Sequence, residues 1–210
     1  MLYTPLTLNK DLRKSTPFMT ESTFPLCKQH VIDATLKWVD DIVIKHNFCP
    51  FARYVRTPNQ IRCVVVSGDA GNVIQSLYDE LRYLEENDTT ATTLIALTHS
   101  SIADFNEYLD VLAISDNMLH DWGYSGTYQL ASFHPNYVFD GIDEDDAENY
   151  TNRSPYPLLH LIREADITRY MKKEEDAEKI FSHNIEKAQR LGCPYFEDVL
   201  NALKKDKPTR

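Results

Sequence analysis

Glycine is scarce in this chain, with six among 210 residues. None stands in a GxGxxG or GxxxxGK[ST] pattern after a strand-like segment, so neither a dinucleotide fingerprint nor a P-loop is indicated. Basic residues are also few: 22 Lys plus Arg face 32 Asp plus Glu, a formal charge of −10. Binding a phosphate backbone needs a basic footprint, so nucleic acid is set aside as a partner. Long apolar runs are missing. Pieces such as Cys63–Val66 and Thr93–Leu97 fall far below the roughly 18 to 20 residues that cross a bilayer, so no membrane partner is expected. The four cysteines (Cys27, Cys49, Cys63, Cys193) form no CxxC pair. That spacing fits a reduced chain, not a disulfide scaffold. Residues 1–24 have no apolar stretch ending in small residues, so a secretory signal is not expected and a cytoplasmic protein is.

What is present is organised by period. Residues 1–25 carry Pro5, Pro17 and Pro25 without periodicity and read as an N-terminal arm. From residue 26, Val31, Ala34, Trp38, Ile42 and Val43 recur at helical spacing. Cys49-Pro50 is expected to stop that helix. A Val-rich strand over 61–67 follows. Then comes a helix with Val73, Leu77, Leu81 and Leu84 on one face, closed by Asn87-Asp88. A second strand covers 92–98. Ser101 with Asp104 resembles a capping box opening a third helix, stopped by Gly123, and a third strand covers 126–133. This alternation predicts an α/β fold with a sheet of three or more strands, and the connecting helices permit parallel neighbours. Ser154 and Pro155 predict the cap and first position of another helix, through about Met171, with Leu158, Leu161, Ile162 and Ala165 on one face. The α/β core domain is thus read as 26–171. A C-terminal helical extension over 172–210 contains a helix stopped by Gly192 and a short one near 195–203.

Polar chemistry concentrates between His134 and Glu164. His134 follows the C-terminal end of a strand, where open α/β sheets bind ligands. If the segment after Ser154 is a helix, its free N–H groups converge with Arg153 and Asn152 on a phosphate or carboxylate, with Tyr137 as a further ligand-binding residue. A metal alternative uses His160 and Glu164, four apart on one helix face, with His134 and even Cys49 as further ligands; the pattern is not HExxH. Cys49 is also a candidate nucleophile if a histidine such as His134 lowers its pKa. The acidic run Asp140, Asp143, Glu144, Asp145, Asp146 and Glu148 lacks the EF-hand spacing and reads as a solvated loop. His30, His46, His120 and His183 lie on charge-rich segments and read as solvent-facing. His99 follows a strand and could approach the end of the sheet that His134 occupies.

Three blocks carry a family resemblance. The first contains Trp38, Val43, Asn47, Cys49, Pro50, Phe51 and Ala52. The second is Ser132, Phe133, His134, Pro135, Tyr137 and Phe139. The third is Asn149 to Pro157 with His160, Arg163 and Glu164. From about Val31 to about Met171 the chain resembles an uncharacterised bacterial family, also present in some eukaryotes, catalogued as a domain of unknown function. His46 and Phe48 depart from its usual residues around Asn47. The resemblance implies a shared site built from Cys49, His134, Asn152, Arg153, His160 and Arg163, and implies no reaction.

The leading expectation is an enzyme-like pocket for an anionic small molecule. Asn152, Arg153, Ser154 and Arg163 would hold the anion. His134 would be general acid/base, assisted by Cys49 or His160. On that reading Arg153→Ala weakens anion binding roughly tenfold or more without unfolding the chain. The alternatives are a metalloprotein using His134, His160 and Glu164, and a non-catalytic module contacting a partner through Tyr137, Phe139, Tyr150 and Tyr156. No cofactor is assigned; zinc or iron, with metal-assisted hydrolysis or redox chemistry, belongs to the metal alternative. Oligomeric state leaves no signal.

Overall fold

The computed structural model describes residues 27–170 and 174–205; the expected arm over 1–25 lies outside them. The first helical arm is α1 (Lys28–Trp38), continued by a π-helical segment, Val39–Ile44. Its five-residue bonds run from Lys45 N–H to Asp40 O and from Phe48 N–H to Val43 O. The arm ends in a turn with Asn47 in the left-handed region, φ 59°. Pro50 therefore does not stop a helix. It opens one, α2 (Pro50–Arg56), with Cys49 as the extended N-cap, because proline's missing N–H costs nothing at the first helical position.

Strand β1 (Ile61–Val66), α3 (Ala70–Glu86) and β2 (Thr92–Leu97) form a right-sized crossover unit, and β1 pairs parallel to β2. Asp69 and Asn72 make a reciprocal capping box at the start of α3. Gly68 is required beside it: a Cβ there would meet the Asn72 side chain at 2.0 Å. A 3-10 turn (Ser100–Ala103) leads to α4 (Phe105–Asp121), whose cap is Asp104, accepting from Asn106 N and Glu107 N. The helix thus opens three residues later than the capping-box reading expects. Gly123 (φ 82°) terminates it as expected. Strand β3 (Tyr128–Phe133) follows.

The largest departure is at residues 158–163. They form strand β4 (Leu158–Arg163), not a helix, and α5 (Glu164–Tyr170) begins only where the strand ends. Pro155 lies in a bend, and Pro157 directly precedes the strand. Leu158, Leu159 and Leu161 are fully buried, because β4 is central and both of its faces are covered. An apolar run buried on both faces carries no strand alternation, and its leucines mimic helical spacing. The sheet order is β1-β2-β4-β3, with β4 antiparallel to both neighbours. Only β1 and β2 are parallel.

Alternate residues then build two cores. Leu94, Ala96 and Leu158 face Trp38, Ile42 and Phe51 from the first helices. Ile95, Leu97, Leu159 and Leu161 face Leu77, Leu81, Tyr108 and Val111 from α3 and α4. The C-terminal helices α6 (Glu174–Leu191) and α7 (Cys193–Lys205) join the first core through Ala188, Phe196, Leu200 and Leu203. No helix among the described residues is long and apolar enough to cross a membrane.

Candidate functional site

The register places His134 one residue past β3, beside the end of the sheet where β1 and β2 finish, since Leu97 follows Ala96, which pairs with Leu158, and Leu158 pairs with Phe133. The end is tied together. Thr98 Oγ1 donates to Val66 O, and Tyr108 OH donates to Leu158 O at 2.7 Å while accepting from Phe133 N–H. His134 itself has no exposed surface. Its ring lies 5.1 Å from those of Phe105 and Tyr108. The Asn136 N–H donates to Nδ1 at 3.0 Å, so in the neutral ring the proton sits on Nε2. That Nε2 is buried, makes no hydrogen bond of good geometry, and faces the backbone of Ile102 and Ala103. Burial lowers the His134 pKa to about 4; the backbone of Ile102 and Ala103 and the Asp104 carboxylate pull it upward, and Lys204 pulls it downward. Burial keeps this imidazole neutral, so any acid/base role at neutral pH would start from the neutral ring.

The segment between His134 and Pro157 is a long connection held by side chains that bond its own backbone. Asn149 Oδ1 accepts from Phe139 N–H, and its amide donates to Asp143 O. Asn152 donates to Ser132 O, and its carbonyl accepts from His134 N–H. Arg153 donates from Nε to Tyr137 O at 3.1 Å and from its terminal nitrogen to Glu144 O at 2.8 Å. Its guanidinium lies 4.5 Å above the Tyr150 ring. Ser154 caps no helix; its hydroxyl donates to Tyr156 O. Trp38 Nε1 donates to Arg153 O, tying the connection to α1. Tyr137, Tyr150 and Tyr156 are buried. Burial raises the Tyr137 pKa, although Ser132 and Asn152 beside its hydroxyl oppose that.

Other expected members lie elsewhere. Arg163 is at the far end of β4, about 17 Å along a six-residue strand from Leu158. There it donates to the Tyr128 hydroxyl and to Leu84 O, so it closes the end of α3 and does not join Arg153. His160 faces the first core, on the other side of the sheet from His134. Its Nε2 is 2.6 Å from Thr92 Oγ1, which donates to Leu161 O, and burial lowers its pKa to about 4. Because His160 is on a strand and Glu164 begins α5, the shared helix face expected of them does not exist. No group of three metal-ligating side chains occurs among the described residues. Cys49 packs against the first core. Burial raises its pKa, opposed by the Ala52 and Phe51 backbone, so it is not an activated thiolate. A concavity of about 450 Å³ lies on α6, lined by Glu178, Lys179, Ser182, His183 and Glu186, away from these residues.

Sequence reasoning misses Tyr108, and it takes Asp104 as the partner of Ser101 in a capping box when Asp104 is itself the cap. The signal for Tyr108 is the helical spacing of Tyr108, Val111, Ser115 and Leu119, all of them buried. His46 is also corrected: it is buried, because its Nε2 meets the Tyr195 hydroxyl at 2.7 Å.

No curated protein and no solved structure matches the chain. A family model does, over residues 30–198, reaching past the three recognised blocks through α6 and into α7. The chain belongs to that family, described as a protein of unknown function (DUF1415).

Proposed function

We propose that this protein binds a small molecule through a carboxylate or phosphate oxygen at the sheet end where β1 and β2 finish, with the neutral His134 Nε2–H as donor. One observation carries the reading: a fully buried histidine whose Nδ1 is occupied and whose Nε2 makes no well-formed hydrogen bond, with only the Ile102 and Ala103 backbone beside it. A buried donor left unsatisfied costs about 1–3 kcal/mol. A ligand oxygen that accepts from it removes that cost. The location agrees, because ligands of open α/β sheets collect at the carboxyl ends of parallel strands. The Ile102 and Ala103 backbone lies against the ring, so the turn Ser100–Ala103 has to move aside for a ligand to enter. On this reading His134 orients and polarises the ligand as a neutral donor. Arg153 and Asn152 shape the wall of the site and do not clamp the anion, since their groups are spent on backbone carbonyls. A partner surface made of Tyr137, Tyr150 and Tyr156 is less well supported, because these rings are buried.

The test is a thermal-shift panel of carboxylates and phosphates, followed by calorimetric titration of the members that stabilise the chain. His134→Phe keeps the ring and removes the donor. At least one ligand is expected to bind wild type saturably and to bind the folded variant about tenfold more weakly. Equal affinity for every ligand in both proteins would refute the reading.

A further inference from the structure

A second group of polar side chains lies where the first helical arm, α6 and α7 meet. The turn after Ile44 directs His46 inward, 7 % exposed. Its ring is 5.9 Å from Phe48, 5.3 Å from Tyr195 and 6.4 Å from Phe196. Lys45 Nζ donates to the same Tyr195 hydroxyl that His46 Nε2 meets, at 3.3 Å, and lies 5.7 Å from the ring centroid. From α6, Asn184 Nδ2 donates to Phe48 O at 2.9 Å. Lys187, three residues on and half-buried, lies near enough to His46 to disfavour its charged form. Burial first, then Lys187 and Lys45, hold the His46 pKa below its ordinary value. Neither lysine nor His46 makes an ion pair among the described residues.

A chain carrying −10 has carboxylates to spare, yet among the described residues none pairs with these cations. The end of the first helical arm favours cations at Lys45 and His46, but that does not account for Lys187, which comes from a different helix. Two ammonium groups, a phenol and an imidazole supply donors from three elements, which suits an anion with several oxygens. In the same seam, Asn184 Oδ1 is buried without a donor. An oxyanion that keeps a proton at neutral pH could supply one; sulfate could not.

We propose that Lys45, His46, Lys187 and Tyr195 form a binding site for a phosphate-class oxyanion, separate from the sheet-end site of His134. The bound anion neutralises both lysines and favours the imidazolium of His46. The site is independent of the sheet-end reading and stands or falls apart from it.

The experiment is an NMR titration of the full chain, following the His46 ring signals, which His46→Gln assigns by their loss. Inorganic phosphate is added at constant ionic strength against chloride. The expected result is a saturable rise in the His46 pKa, with phosphate affinity about tenfold weaker or worse in the Lys45→Gln/Lys187→Gln double variant. Without phosphate, that variant's His46 pKa is itself expected to rise, because two cations opposing protonation are gone. No saturable change, or unchanged affinity in the double variant, would overturn the site. A His46 pKa that ignores loss of both lysines would overturn the geometry. Sulfate acting as strongly as phosphate would overturn the phosphate assignment.

Discussion

His134 and His160 each hold a neutral imidazole inside the fold, one on either side of the sheet, and both titrate near pH 4 instead of 6.5. In each case burial is the cause. Between those pH values the unfolded chain binds more protons than the folded one, so stability rises with pH across that window. Their contribution is complete above about pH 6.5 and is lost as pH falls toward about 4, on the order of 3 kcal/mol for each. His134→Phe removes one of the two groups. Urea melts over this window are expected to show a shallower pH slope in the variant than in wild type; an unchanged slope would mean that His134 is not neutral by burial. The position of His134 after a strand is legible in the sequence. Its unsatisfied Nε2 is not, because that depends on Asn136 taking Nδ1 and on Phe105 and Tyr108 enclosing the ring.

The elements most open to reading are those with one buried face. The stripe of Val73, Leu77, Leu81 and Leu84 marks α3, because its apolar pattern reports a single direction of burial; β1 shows itself by its β-branched run, although its residues pack against both cores. Strand β4 escapes for the opposite reason: with neighbours on both edges and cores on both faces, LLHLIR has no polar side to reveal its period. Misreading it as a helix also creates a false anion cradle at Arg153 and a false metal face at His160 and Glu164. The connection from His134 to Pro157 shows what its polar residues do instead: they satisfy backbone groups that a long buried loop would otherwise leave unpaired. Arg153 bonds two carbonyls and covers Tyr150. Arg153→Ala is therefore expected to lose about 2 kcal/mol of stability in urea denaturation, from two charge-assisted hydrogen bonds. A stability loss near zero, with ligand affinity falling instead, would return Arg153 to the role of anion clamp.

At the scale of the whole molecule, a four-stranded mixed sheet separates two cores, and the two proposed sites sit at different places around it. The α-β alternation from α1 to β3 follows from sequence period. The packing of α7 on the first core, through Phe196, Leu200 and Leu203, could be foreseen only as an amphipathic stripe without an address. The sheet-end site depends on that whole arrangement: β3 delivers His134, α4 encloses it, and the connection to β4 walls it. The most direct test of this account is the ¹⁵N spectrum of the histidine rings at neutral pH, with His134 assigned through His134→Phe. The account predicts a neutral His134 protonated on Nε2 and unprotonated on Nδ1, with the Nε2 signal moving when a stabilising carboxylate or phosphate is added. A His134 protonated on Nδ1, or titrating near pH 6.5 like an exposed imidazole, would contradict it.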